Sequence, residues 1–311
     1  MTTAGLLIAN HMVSADIYTF DSLVPDRFIH QQDGWIDQAG QGQAVTALDN
    51  TGNGTIVVRH FQTVAFNQSA FITRRNNATF DFLPHSGNET DAVIQFDANG
   101  ENLAMFALGY DRNGDGVLKG IDGEIGPSFG IGDRKFRIQE AGLGAVYETL
   151  IGDGNSGDDW YRFQLRIDFT AAASEGSGSL YYLNLTDGDT VYLPVAGLQN
   201  RALGISRMHA DAQPDRWDTM WLHLLTRGGS NPRADNLVPN LNAIRLISIG
   251  RFGNDLILNW RGCNSPYQVQ QSPDLSAGNW SNFGPPTNST TITIPIATGR
   301  QFFRITRPAL P

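Results

Sequence analysis

The sequence predicts an all-β protein in two units, and three observations predict it. Charged residues make up only 17% of the 311 positions while glycine supplies 34 of them, so turn formers are plentiful and charge-laced helices are not. No stretch keeps apolar residues at i, i+3, i+4 and i+7 for three turns, whereas short alternating runs bounded by Gly, Asn and Asp recur. The clearest run is 160–169. Tyr161, Phe163, Leu165, Ile167 and Phe169 fall on one face, and Arg162, Gln164, Arg166 and Asp168 on the other. That period of two is what a strand with one buried face requires.

The elements follow in chain order. Strands are expected at residues 17–20, 55–63, 70–74, 79–83, 92–97 and 103–110, each a β-branched or aromatic run closed by turn formers. Beyond a polar loop they resume at 135–140, 160–169, 179–185, 191–195, 219–226 and 237–238. No repeat of about 40 residues is visible, so two antiparallel sheets face to face fit better than a propeller. Residues 200–212 have room for one helical turn.

The text changes near residues 241–250. Residues 244–311 read as a small second β-sandwich, with strands in Asp255-Leu-Ile-Leu-Asn-Trp260, Tyr267-Gln-Val-Gln-Gln-Ser272, Thr290-Thr-Ile-Thr-Ile-Pro295 and Gln301-Phe-Phe-Arg-Ile-Thr306. A unit of about 65 residues is marginal alone, so docking on the first domain, 16–243, is expected. Residues 1–15 have two readings. Ala4-Gly-Leu-Leu-Ile-Ala9 and Val13-Ser14-Ala15 resemble the tail of a signal peptide, but the basic start is missing, and an ordinary first strand fits as well.

The most specific motif is Asp111-Arg-Asn113-Gly-Asp115-Gly116-Val117-Leu-Lys-Gly-Ile-Asp122. Calcium takes roughly six to eight oxygens at about 2.3–2.6 Å, and short carboxylates and amides at alternate positions converge on one point. The ligands would be Asp111, Asn113, Asp115, the carbonyl of Val117, and Asp122. Gly116 stands where the turn needs φ > 0. Asp at the last position resembles bacterial dockerin loops rather than the Glu of sensor EF-hands. The preceding Asn102-Leu-Ala-Met-Phe-Ala-Leu-Gly-Tyr110 reads as a strand, so the Ca2+ loop would be grafted into another fold and structural in role. The alternative is a polar turn without an ion.

Composition excludes other classes. The net charge is −9, with no Lys/Arg cluster, so a nucleic-acid footprint is absent. No run approaches the roughly 18 apolar residues of a membrane span. The single Cys263 excludes an internal disulfide and a multi-cysteine zinc site. A calcium loop of this kind suits extracellular calcium levels, so an extracellular or cell-surface location is expected.

The ligand platform is expected on a polar sheet face. Arg162, Gln164 and Arg166 lie two residues apart on one strand, roughly 6.6 Å between neighbours. Arg137 and Gln139 are expected to flank them, with His223 from Trp221-Leu-His-Leu-Leu225. Forked guanidinium contacts and amides suit an acidic or neutral sugar chain. The bland alternative is a solvated face whose arginines pair with Asp168, Glu140 or Glu148. Trp217, in Pro214-Asp-Arg-Trp217-Asp218, sits in polar text and is the expected exposed aromatic.

Tyr18-Thr-Phe-Asp21, Gln32-Asp-Gly-Trp35, Gly178-Ser-Leu-Tyr-Tyr-Leu-Asn-Leu-Thr186 and Ala234-Asp-Asn-Leu-Val238 resemble motifs of concanavalin A-like (laminin-G-like) jelly rolls in secreted bacterial proteins. The resemblance implies that the first and last strands lie side by side, bringing Asp21 near Asp235. Residues 244–308 are similar to the small β-sandwich modules ending many secreted planctomycete and verrucomicrobial proteins, an accessory with no chemistry of its own.

Three function classes follow. The first is a non-catalytic binder of a polysaccharide or cell-surface glycan. The second is a polysaccharide lyase or glycoside hydrolase: Arg162-Phe-Gln164-Leu-Arg166 is similar in residue type to jelly-roll polyuronate lyases, but their fuller motifs are not reproduced. Paired carboxylates at glycosidase spacing are also missing. The third is a structural subunit of an extracellular layer or appendage, self-associating through an exchanged strand.

Overall fold

The structure, a computed structural model, describes residues 17–38, 44–48, 56–60, 68–77, 80, 82, 91–99, 102–152, 158–171, 175–226, 231–241, 244–262, 267–273, 279–295 and 301–306. Its contacts divide into two compact units, Ile17–Ala243 and Ile244–Pro311. Helical backbone among the described residues occurs only as short 3-10 turns. No helix there is long and apolar enough to cross a membrane.

The strands of the first unit begin with β1 (Trp35–Asp37), β2 (Ala44–Leu48), β3 (Ile56–His60), β4 (Gln68–Arg75), β5 (Asp91–Asn99), β6 (Leu103–Gly109) and β7 (Ser128–Gly132). They continue with β8 (Lys135–Gln139), β9 (Val146–Leu150), β10 (Trp160–Asp168), β11 (Ser177–Asn184), β12 (Leu193–Pro194), β13 (Arg201–Ala202), β14 (Thr219–Thr226) and β15 (Arg233–Val238). A seven-stranded sheet runs β1-β4-β14-β6-β7-β8-β9. An eight-stranded sheet runs β12-β11-β10-β5-β15-β3-β2, with β13 against β11. Neighbours are antiparallel throughout. The result is an all-β sandwich of the jelly-roll type.

The core lies between the two sheets and is aromatic. Phe96 from β5 meets Phe106 of β6 at 5.6 Å and Phe129 of β7 at 5.3 Å, ring centre to ring centre. Phe163 of β10 closes the group at 5.6 Å from Phe96, and all four rings are fully buried. Burial of each is worth about 1.5–3 kcal/mol. The alternation of β10 is as expected: Tyr161, Phe163, Leu165 and Ile167 face this core.

A second apolar layer lies on the other face of the seven-stranded sheet. Leu103, Met105 and Ala107 of β6 and Trp221 of β14 are buried there beneath Leu118 and Ile125. Both covering residues come from the long β6–β7 connection that carries the run Asp111 to Asp122. This layer explains why β6 is buried on both faces.

The first segment reaches the last strand as expected: Tyr18 and Leu237 exchange N–H···O bonds of 2.7 and 2.9 Å. The chain then turns at Phe20–Ser22, and Asp21 accepts the Ile56 N–H at 2.9 Å while Asp235 sits on β15 beside Asp97. The expected strand at 17–20 is therefore one bridge and a turn, and that at 191–195 shrinks to Leu193–Pro194. Phe80 and Phe82 lie outside any strand; the rest of 79–83, residues 1–15 and Cys263 fall outside the described residues. The helical turn expected in 200–212 is present twice, at Ile205–Arg207 and Ala210–Ala212.

The second unit contains β16 (Ile244–Phe252), β17 (Asp255–Gly262), β18 (Gln268–Ser272), β19 (Ser281–Asn282), β20 (Thr291–Pro295) and β21 (Phe302–Thr306). They form two three-stranded sheets, β16-β17-β20 and β19-β18-β21. Leu258, Trp260, Tyr267, Val269 and Ile294 make its buried centre.

Candidate functional site

The loop 111–122 is wound by its own side chains. Asp111 is buried, and its two carboxylate oxygens accept the N–H groups of Gly114 and Gly116, both at 2.8 Å. Asn113 Oδ1 accepts the Asp115 N–H at 3.0 Å, and Asp115 Oδ1 the Val117 N–H at 2.8 Å. These successive turns tie alternate side chains to backbone N–H groups further along, with Asn113 and Asp115 left exposed. The Val117 N–H and the Asn113 amide hold the Asp115 carboxyl below the usual carboxylate range.

The coil is anchored to the seven-stranded sheet. Gly116 has φ 79°, and a Cβ there would stand 2.0 Å from Ile36 Cδ1. The Thr73 hydroxyl donates to the Gly116 carbonyl, and Gln38 Nε2 donates to that of Leu118 at 3.3 Å. Asp122 ends the 3-10 turn Gly120–Asp122. Among the described residues no group of three or more His, Cys, Asp or Glu side chains is placed to hold a metal, so Asp122 is not gathered with Asp111 and Asp115. The oxygen-only donor set is of the type calcium takes.

The eight-stranded sheet carries Arg162, Gln164 and Arg166 on its outer face, as their alternation predicts. Cross-strand register sets Arg162 opposite Asp97 and Gln164 opposite Gln95 on β5. Arg162 forks onto Asp97 with two 2.7 Å bonds, and Asp97 is fully buried. That bonding raises the guanidinium above its ordinary range. Asn236 Nδ2 donates to the same carboxylate at 2.8 Å and to Asp235 at 3.3 Å. Asn236 reaches both because it sits left-handed (φ 50°) in a β-bulge of β15.

The network continues along the face. Gln164 Nε2 and the Tyr192 hydroxyl both donate to Gln95 Oε1, at 3.0 and 2.7 Å. Arg166 lies 3.9 Å over the Tyr181 ring and touches Gln164 Oε1 at 3.4 Å. Among the described residues it has no carboxylate partner, and its Nε is buried without an acceptor.

The other expected ligand residues are elsewhere. Arg137 and Gln139 are on β8 and His223 on β14, all in the seven-stranded sheet, so they do not flank Arg162. Strand alternation sets the face within a sheet; it does not say which sheet a strand joins. Arg137 pairs with Asp133 at 2.9 Å and Glu148 at 3.2 Å. Gln139 Nε2 donates to the Gly144 carbonyl at 3.3 Å. His223 stacks on Phe71 at 4.2 Å and meets the Ser69 hydroxyl at 3.1 Å; burial pushes its imidazole down to about 3. Such a base is too weak to activate Ser69.

Trp217 is not an exposed aromatic. It is fully buried, and its Nε1 donates to the Ala212 carbonyl at 3.2 Å. The carboxylates that could quench an arginine face do so only in part: Glu148 takes Arg137, Glu140 takes Arg207 at 3.1 Å, and Asp168 accepts the Thr170 N–H and hydroxyl instead.

Asp97, Gln95, Asn236, Tyr181 and Tyr192 were not legible as part of the site. The alternation of Asp91–Asn99 was the available signal, because Gln95 and Asp97 share its polar phase.

No family model matches the chain, and no curated protein matches it either. Solved structures that it resembles include peanut lectin with a bound peptide, at 12% identity and a TM-score of 0.36, covering 71% of this chain and 97% of that one. Another is the endo-1,3-β-glucanase of Streptomyces sioyaensis, at 11% identity and 0.35, covering 62% and 76%. The β-1,2-glucanase of Parabacteroides distasonis is similar at 10% identity and 0.26, covering 94% and 36%. Likeness at this level lends nothing to a ligand or a reaction.

Proposed function

We propose that the protein is a calcium-binding, non-catalytic carbohydrate or cell-surface binder acting outside the cell, built on a concanavalin A-like jelly roll. The observation that carries this reading is Arg166, stacked on Tyr181 and without a carboxylate partner among the described residues, at the end of the row Arg162–Gln164–Arg166. A planar cation on an aromatic ring offers a sugar chain a preset donor at little ordering cost, and the buried Gln95 and Gln164 amides brace it from below. Arg162 serves the site indirectly, because Asp97 holds both its forks.

A catalytic reading finds less support. His223 is neutral and remote from the arginine row, and Tyr192 is raised by burial and already donates to Gln95. The calcium loop would hold the β6–β7 connection on its sheet through Asp111, Asn113, Asp115 and the Val117 carbonyl, with Asp122 drawn in from the end of its 3-10 turn as the ion binds.

A panel of acidic and neutral polysaccharides in calcium, scored for retention and for new unsaturated or reducing ends, tests this. Retention without cleavage, lost at least tenfold in Arg166→Ala and in Tyr181→Ala, is the expected outcome. Cleavage, or retention indifferent to both substitutions, would overturn it.

One observation favours self-association as a second reading. Among the described residues β16 is an edge strand that exposes Ile249 by 62% and Phe252 by 76%. Light scattering across a concentration series would show growing oligomers if this edge pairs with a second copy.

A further inference from the structure

A cavity of about 540 Å³ opens beside the turn Phe20–Ser22 and shares no residue with the arginine row or the ion loop. Tyr18, Ser22, Val24, Asp33 and Phe80 are among its walls. Its volume falls in the range of roughly 300–1,000 Å³ typical of small-ligand sites.

Asp33 is the wall held with most care. Its Oδ2 accepts the Tyr18 hydroxyl at 2.8 Å and Arg74 Nη2 at 3.1 Å, and its backbone carbonyl accepts Arg74 Nε at 2.9 Å. Arg74 is fully buried behind it, 4.7 Å over the Tyr18 ring and 5.2 Å over that of Phe80. The same guanidinium donates to Asn77 Oδ1 at 3.0 Å and the Phe80 carbonyl at 3.1 Å, which fixes the opposite wall. Gln32 braces the rim, accepting the Val24 N–H at 2.9 Å and donating to the Phe28 carbonyl at 2.7 Å.

This arrangement is not explained by stability. Gln31 and Asp33 are both left-handed, at φ 68° and 46°, a strain that persists only where the surroundings over-determine it. A buried ion pair is likewise weak as a stabilising device. Both features instead present one carboxylate, at 18% side-chain exposure, to the cavity.

We propose that this cavity is a binding site for a neutral pyranose, taken end-on. The charges select the class. A cationic ligand would meet a carboxylate already neutralised by Arg74, and an anionic one would meet Asp33 itself. Hydroxyl groups can donate to the carboxylate, while the partly exposed Phe80 ring suits the C–H face of a sugar. The inference stands on this geometry alone and does not need the arginine face to bind anything.

Substituting Asp33 would strand a buried guanidinium, so the test plugs the cavity from its rim with Ser22→Trp and, separately, Val24→Trp. Thermal melts confirm folding of both. Glucose, galactose, mannose and N-acetylglucosamine are compared with glucuronate and glucosamine by saturation-transfer NMR, then by calorimetry. At least one neutral sugar should bind the parent protein, with affinity reduced tenfold or more in both Trp variants and unchanged in Arg166→Ala. No neutral sugar bound, preference for either charged sugar, or undiminished binding in the Trp variants would each overturn the proposal. Loss confined to Arg166→Ala would place the sugar on the sheet face and overturn it too.

Discussion

Two arginines on one strand, one turn of the pleat apart from Gln164, differ in what their removal leaves behind. Arg162 is the fork on Asp97, whose side chain is 1% exposed. Deleting it leaves a buried carboxylate with one amide donor, and a broken buried pair costs about 3–5 kcal/mol. Arg162 itself keeps a third of its side chain in water, so the low end of that range applies. Arg162→Ala should therefore lower the unfolding free energy by about 3 kcal/mol in urea titrations. Arg166→Ala strands no charge and should change it by less than about 1 kcal/mol. Equal effects would show that the Asp97 pair is not special. The contrast also decides which residue can report on ligand binding, since only Arg166 can be removed without confusing affinity with folding. The face of both residues was legible from alternation alone. Trp217 was not, because the three-residue turn Pro214–Arg216 exposes its sequence neighbours while rotating the indole inward.

At the scale of elements, strands with clean alternation were legible and strands rich in glycine were not. β7 reads Ser-Phe-Gly-Ile-Gly and looks like a turn. In the sheet Gly130 is required because a Cβ would come within 2.1 Å of the Ala104 carbonyl oxygen on β6. β9 was missed for another reason: as an edge strand it exposes Val146 and Leu150 and buries little on either face. Sheet membership was invisible too, which is why Arg137, Gln139 and His223 were expected beside Arg162. The ion loop was legible as a motif, and Asp111, Asn113 and Asp115 wind it by accepting backbone N–H groups, while Asp122 is not gathered with them. Its proposed calcium has a direct test. EDTA should lower the melting temperature and excess calcium restore it, by about 2.7 kcal/mol at a hundredfold excess over Kd. Gly116→Ala should lower the melting temperature and remove the calcium response together, because the methyl would collide with Ile36. A melt indifferent to both ions and chelator would leave the loop as an ordinary polar turn.

For the molecule as a whole, pH dependence separates buried histidines from surface carboxylates. Burial lowers His60, opposed by the nearby Asp37, and lowers His223 to about 3 with a contribution from His60 itself. The unfolded chain returns both to about 6.5. Below that value the unfolded state binds more protons than the folded one, so stability rises with pH across the window. The stabilisation is complete above about 6.5 and is lost as pH falls toward the folded values, at a limiting slope of about 1.4 kcal/mol per pH unit for His223. Asp115, Glu148 and Asp168 are also held low by hydrogen bonds. They act in the same direction but only below about pH 4, the unfolded carboxylate range. The two groups can therefore be told apart by where the loss begins. Melting temperature should start to fall near pH 6.5, well before any carboxylate titrates. His223→Phe keeps a ring on Phe71, gives up the Ser69 hydroxyl contact, and should make the curve shallower between pH 6.5 and 4.5, leaving the His60 share and the fall below pH 4. A parent protein whose melt is level from pH 7 to 5 would mean that these imidazoles open to water before the sandwich unfolds.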